Sequence, residues 1–242
     1  MSDKSLILLK QNPLIKAKYV TKDGTSFKAV HHDLINALMH AIQKTIKLSN
    51  TEFDTVSIRS QSLRKLARLS LTNDDFIYKS LVDLTNIGFD LDKVSRERLS
   101  KQIGGNVKAG YITFITSIIK VVDEKDKRNF LFKISFNKNF FSIVLNIDFS
   151  VLHGNYTPIS VTIASGIDTK YGKKLYELLT MKQKMGNFTL KIEELRIYFG
   201  NKQHISQISQ TIKRASNQVN EFIPFSIEVH KLDKAISFYY KK

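Results

Sequence analysis

Between positions 203 and 214 the chain carries Gln203, His204, Ser206, Gln207, Gln210, Lys213 and Arg214, with no carboxylate before Glu221. Gln can bond N6 and N7 of an adenine, Lys and Arg bond O6 and N7 of a guanine, and Ser serves either. The chemistry on offer is hydrogen-bond readout of base edges, and a surface without carboxylates is not repelled by phosphates. In the same segment, Ile205, Ile208, Ile212, Ala215, Val219 and Phe222 recur at alternating steps of three and four. That spacing predicts one helix over 201–222 with a buried apolar stripe and a polar remainder.

Other constellations point away from catalysis. Asp74–Asp75 and Glu193–Glu194 sit where first-turn carboxylates favour a helix dipole. His31 and His32 are adjacent, so their side chains diverge on a helix and make a poor metal clip. No His-x-His triplet is present to hold a metal for strand nicking. "GGNVKAG" lacks the lysine and hydroxyl of a phosphate loop, and "SGIDT" lacks the spacing of a nucleophile elbow. Zero cysteines exclude disulfides, thiol catalysis and thiolate zinc sites. The expectation is a binding protein without catalytic residues, metal or cofactor.

Composition sets the partner class. The 242 residues carry a net charge of +16 and are 42% hydrophobic, so the positive surplus lies on a folded surface and favours a polyanion. From Thr157 onward there are 14 Lys+Arg against 7 Asp+Glu, of 38 against 22 in the whole chain, so both parts are basic. "MSDKSLILLKQNP" has too short an apolar run for a signal peptide and "FITSIIKVV" is too short to span a bilayer. A cytoplasmic protein without membrane contact is expected.

The elements that must position the candidate residues follow from periodicity. "HGNYTP" (153–158) breaks the chain, and the two sides repeat one order of elements. On the C-terminal side come a helix over "DTKYGKKLYELLTMKQK", a strand "NFTL", a helix "KIEELRIYF", the 201–222 helix, and a hairpin of "PFSIEV" and "AISFYY". On the N-terminal side come a helix "AVHHDLINALMHAIQKTIK", a strand "FDTVSIR" and a short helix "SLRKLARL". A helix follows over "FIYKSLVDLTNI", opened by a capping-box spacing from Thr72 to Asp75. A hairpin of "YITFITSIIKVV" and "NFLFKISF" closes the series. Helix, strand, helix, turn, helix and wing, twice over, predicts an α+β protein of two tandem winged helices, 1–155 and 156–242.

In a helix-turn-helix the second helix enters the major groove, which assigns base recognition to Gln203, His204, Ser206, Gln207, Gln210, Lys213 and Arg214. Arg59, Arg64, Lys65, Arg68 and Lys79 flank the first helix-turn-helix and suit phosphate contacts, which position a protein without reading sequence. Lys125, Lys127 and Arg128 at the first wing tip, and Lys231 and Lys234 at the second, could reach the backbone. Their alternative is ordinary turn chemistry. Phe130, Phe132, Phe136, Phe140 and Phe141 suit packing in a core or dimer better than base stacking.

"KYGKKLYELL" (170–179), "EELRIYFG" (193–200) and "IKRASNQVNEF" (212–222) resemble the C-terminal winged helix of plasmid replication initiators that bind iterons. "NPLIKAKYV" (12–20) and "SLRKLARLSLTNDDFIYKSLVDL" (62–84) resemble the N-terminal one. Gly172 stands where that family usually has alanine. The resemblance implies that the second winged helix reads each repeat, while the first grips phosphates and forms a homodimer interface. It also implies monomers opening double-stranded origin DNA, dimers repressing the initiator's own gene at an inverted repeat, and a host initiator and replicative helicase as partners. A double winged-helix transcriptional regulator shares the fold and charge and remains the alternative.

Overall fold

The computed structural model describes residues 6–16, 18–22, 26–49, 55–69, 73–90, 93–124, 129–138, 156–199 and 205–241. Gln203, His204, Lys125, Lys127, Arg128, Phe140, Phe141, Thr72 and residues 153–155 lie outside them.

The chain opens with β1 (Ile7–Gln11), α1 (Asn12–Lys16) and β2 (Tyr19–Thr21). The first winged helix follows as α2 (Ala29–Ser49), β3 (Thr55–Arg59), α3 (Ser60–Leu66) and α4 (Asp74–Thr85). After an insertion of β4 (Ile87–Asp90), α5 (Lys93–Ile103) and β5 (Tyr111–Thr113), it ends in the wing β6 (Ile115–Val122) and β7 (Phe130–Phe136). Next come β8 (Tyr156–Ser160) and α6 (Val161–Gly166). The second winged helix is α7 (Lys170–Lys182), β9 (Phe188–Lys191), α8 (Ile192–Phe199), α9 (Ile205–Val219), β10 (Phe225–His230) and β11 (Ala235–Tyr240).

The two units share a sheet plan. In the first, β3 pairs with β7 and β7 with β6; in the second, β9 pairs with β11 and β11 with β10, all antiparallel. Each wing is thus tied back to the strand between the first two helices. The protein is α+β, with two tandem winged helices.

Local chemistry explains the elements. In β3, Val56 and Ile58 are buried while Thr55, Ser57 and Arg59 face out, the period-two alternation of a half-buried strand. The Asn73 side chain accepts the Phe76 N–H at 2.7 Å and starts α4, so the cap is Asn73 rather than Thr72. Thr169 does the same for α7, taking the Gly172 N–H at 3.0 Å. Leu34, Ile35, Leu38, Met39 and Ile42 line the buried face of α2, each fully buried side chain contributing roughly 1.5–3 kcal/mol.

Two further expectations change. The stretch 111–122 is not one strand: Phe114 turns into the core, β5 pairs with β4, and β6 begins with a register shift between Ile115 and Ser117. Helix α9 ends at Val219, so Phe222 falls in the following turn, partly exposed rather than in the buried stripe.

Two hydrophobic cores form, and the segments outside the winged helices join them. Leu8 and Leu14 enter the first core and Ile15 the second, while Val161 of α6 returns to the first. Strand β1 pairs antiparallel with β8, Lys10 opposite Thr157.

Candidate nucleic-acid interface

Helix α9 is held from beneath by Ile208, Ile212, Ala215 and Val219, all buried in the second core. Its inward hydroxyls are satisfied locally: Ser216 Oγ donates to the Ile212 carbonyl and Thr211 Oγ1 to that of Gln207, both at 2.8 Å. At 3.6 residues per turn, Ser206, Gln207, Gln210, Lys213 and Arg214 fall within about 120° on the opposite side. All five are exposed. The structure therefore brings five predicted base-reading residues onto one face; Gln203 and His204 are outside the described residues.

Neighbouring elements fix the helix. The Thr169 hydroxyl donates to Gln218 Oε1 at 2.7 Å, tying α9 to the start of α7 directly over Gly172. Helix α8 begins where Ile192 N–H donates to the Lys234 carbonyl at 2.8 Å, and Glu194 Oε2 accepts the Lys191 N–H at 3.3 Å. The second wing turns through Lys231, Leu232 and Lys234, all exposed, with Lys234 in the left-handed region at φ 49°.

The first helix-turn-helix presents a different surface. Helix α4 exposes Asp75, Phe76, Lys79 and Val82. Asp75 pairs with Lys120 of β6 at 2.6 Å and Asp74 lies 3.7 Å from Arg64. Arg59 Nε sits 2.7 Å from Asp123 Oδ2 at the base of the wing. Lys65 and Lys79 are exposed, and Arg68, at φ 53°, lays its guanidinium beside Gly166 of α6. Of the phosphate candidates here, Arg59 and Arg64 already have carboxylate neighbours. Phe132 and Phe136 are core residues, while Phe130 lies under the Lys120 ammonium, 4.0 Å from its ring centre.

A second polar cluster lies between the units. Lys10 Nζ donates to Glu177 Oε1 at 2.5 Å and to Asn36 Oδ1 at 2.9 Å. Asn36 Nδ2 donates to the same carboxylate oxygen at 3.2 Å, and His32 Nε2 lies 3.3 Å from it. Lys173 donates to Asp33 Oδ1 at 2.7 Å and to the Ala164 carbonyl at 2.8 Å. Lys174 lies 4.7 Å from the centre of the Tyr19 ring. Every one of these polar side chains except that of Tyr19 is buried. A cavity of about 20 Å³ beside them, bordered by Tyr19, Phe27, His32, Lys170 and Tyr171, has room for roughly one water molecule.

Burial shifts these groups strongly. It lowers His32 to about 4, with Glu177 pulling the other way, so the ring is neutral near pH 7. It raises Asp33 to about 7 against the attraction of Lys173, and lowers Lys174 to about 7 against that of Glu177. Burial also opposes ionisation of Glu177, yet His32, Lys10 and Lys174 together hold it well below the usual carboxylate range.

Sequence reasoning did not anticipate this cluster. In α7, Lys173, Lys174 and Glu177 fall on the side opposite Tyr171, Leu175 and Leu178, the pattern of a solvated helix face, so nothing in the sequence marked them as buried or paired them with Lys10 or Asn36. Among the described residues no group of three or more His, Cys, Asp or Glu is placed to hold a metal, and no helix is long and apolar enough to cross a membrane.

No curated protein sequence matches the chain. Among solved structures, the selenomethionine crystal structure of domains 2 and 3 of RctB aligns with 93% of this chain and 85% of its own at a TM-score of 0.54 and 13% identity. At that identity the likeness is one of fold. A further crystal structure of RctB domains 2–3 covers 92% of this chain and 88% of its own, with 14% identity and a TM-score of 0.47. Residues 7–180, well over half of the chain, match the family described as Initiator Replication protein, WH1, and the chain belongs to that family.

Proposed function

We propose that the protein initiates plasmid replication by binding repeated origin sequences, with the unit 156–242 reading bases through α9 and the unit 1–155 gripping phosphates and forming a dimer. The observation that carries this reading is α9 itself: an apolar stripe anchored in the core, and an exposed opposite face of Ser206, Gln207, Gln210, Lys213 and Arg214 without a carboxylate. Those groups are donors and acceptors matched to adenine and guanine edges in a major groove. Gln203 and His204 would extend the face.

The contrast with α4 supports the division of labour. Its exposed side mixes Asp75, Phe76 and Val82 with a single lysine, a poor face for base reading beside phosphates. Lys65, Arg68 and Lys79, with Lys125, Lys127 and Arg128 of the first wing and Lys231 and Lys234 of the second, supply backbone contacts. Arg59 and Arg64 join them by exchanging carboxylate partners for phosphate. The protein acts by binding, without catalysis or a cofactor. Origin opening involves a host initiator and a replicative helicase, and a dimer at an inverted repeat limits the initiator's own synthesis.

The test is fluorescence anisotropy on DNA from just upstream of the protein's own gene, against a shuffled duplex of equal length at fixed salt. Binding in steps that match repeated segments supports the reading. Equal weak binding to both duplexes overturns it, and binding to a single promoter palindrome alone supports a transcriptional regulator.

A further inference from the structure

We infer that the buried charged seam between α2 and α7, centred on Lys10 and Glu177, is a positioning device that fixes the angle between the two winged helices and so sets the separation at which they meet DNA. The DNA part of this inference rests on the function proposed above; the angular part rests on the seam alone.

The seam joins three separate stretches of chain. Lys10 belongs to β1, whose backbone is paired with β8; His32, Asp33 and Asn36 belong to α2 of the first unit; Lys173, Lys174 and Glu177 belong to α7 of the second. Two charge contacts cross it, Lys10 with Glu177 and Lys173 with Asp33, and Lys170 adds a third tie by donating to the Phe27 carbonyl at 3.1 Å. The "KYGKKLYELL" run that carries the family resemblance therefore spends its polar residues here, away from the exposed face of α9.

Cohesion alone does not explain these residues. Apolar side chains of similar volume hold two surfaces together as well as a buried ion pair or better, because the ions must first lose their water. Directionality is what the ions add. Sliding α7 along α2 by one residue, a rise of about 1.5 Å, strands a buried ammonium and a buried carboxylate, a penalty that comes on top of any loss of apolar packing and that repacking of side chains does not relieve.

Without cysteines in the chain, two can be introduced for spin labels: Lys101→Cys on α5 and Met185→Cys after α7, both exposed. Pulsed dipolar distances are compared between this labelled protein and the same protein carrying Lys10→Met with Glu177→Leu, which keeps volume and removes both charges. The expected result is one narrow distance distribution in the parent and a distribution at least twice as broad in the variant, at an unchanged urea midpoint. An equally narrow distribution in the folded variant overturns the inference. If the double variant does not fold, Lys173→Met with Asp33→Leu, which removes the seam's other charge pair as a pair, gives the same readout with the same two outcomes. Anisotropy on the upstream duplex runs alongside: a parent that fails to bind sinks the functional reading and leaves the distance widths to decide the seam. A parent that binds beside a broadened variant losing tenfold in specific affinity supports both.

Discussion

Lys10 and Glu177, 167 residues apart in sequence, meet at 2.5 Å with neither side chain exposed to solvent. Such a pair is asymmetric in its energetics. Removing one member leaves the other buried and uncompensated, at a cost of roughly 3–5 kcal/mol, whereas replacing both by apolar groups is close to neutral or stabilising. Lys10→Ala and Glu177→Ala should therefore each shift the urea midpoint down sharply, and Lys10→Met with Glu177→Leu should leave it nearly unchanged. Equal losses in single and double variants would show that packing, not charge, governs the seam.

The same seam makes stability depend on pH. Lys174 titrates at about 7 in the folded protein against an ordinary value of 10.5, because burial disfavours its ammonium. Between those values the unfolded chain holds a proton that the folded chain releases, so stability rises with pH across the window and falls as pH drops through it. Lys174→Met should reduce the slope of unfolding free energy between pH 7.5 and 9.5 by about 1.4 kcal/mol per pH unit. Asp33, raised from 3.8 to about 7, acts below that window, where its retained proton makes the fold more stable as pH falls. His32, lowered to about 4, opposes it there by charging only in the unfolded chain. Denaturant titrations of the native and Lys174→Met proteins at three alkaline pH values check the slope.

Gly172 is the small residue on which α7 and α9 close. A Cβ there would stand 2.6 Å from both Ile167 Cγ2 and Gln218 Oε1, and 3.0 Å from Thr169 Oγ1. The Gln218 amide can swing away, but the β-branched Ile167 is stiff, and moving Gln218 breaks its bond to Thr169. Alanine normally gains about 1 kcal/mol over glycine inside a helix. Here overpacking of about 1–3 kcal/mol should outweigh that gain. Gly172→Ala is expected to lower the melting temperature, and the companion change Gln218→Ala should restore part of it. A melting temperature raised by Gly172→Ala alone would sink the argument.

How far the sequence foretold these features follows from the range of the signals. Helix α9, helix α4 and strand β3 were legible because their patterns are local: Ile208, Ile212, Ala215 and Val219 keep helical spacing, and Val56 and Ile58 of β3 alternate with polar neighbours. The pairing of β1 with β8, the break at Phe114 and the ties from Lys10 to Asn36 and Glu177 depend on residues far apart in the chain. Periodicity does not carry that information. Phe222 illustrates the boundary case, since its spacing fits the stripe but Asn220 and Glu221 have already left the helix. Gly172 was visible in the sequence, while the close approach of Gln218 from α9 and of Ile167 was not.

Base reading and phosphate contact should separate by salt and by mutation. Lys213 and Arg214 stand mid-helix on the exposed face of α9; under the function proposed above each makes a base contact, whose loss would cost about 1–3 kcal/mol and apply to the specific sequence alone. Lys231 at the second wing tip is suited to phosphate, and its loss should weaken all duplexes alike while reducing the salt slope by about one. With roughly six to ten phosphates contacted, native affinity should fall about 10³–10⁵-fold between ~50 and ~200 mM salt. Lys213→Ala with Arg214→Ala should thus collapse the ratio of specific to shuffled binding, and Lys231→Ala should leave that ratio intact. Anisotropy titrations at several salt concentrations decide it: equal loss of discrimination in the two variants would remove base recognition from α9 and place it elsewhere on the surface.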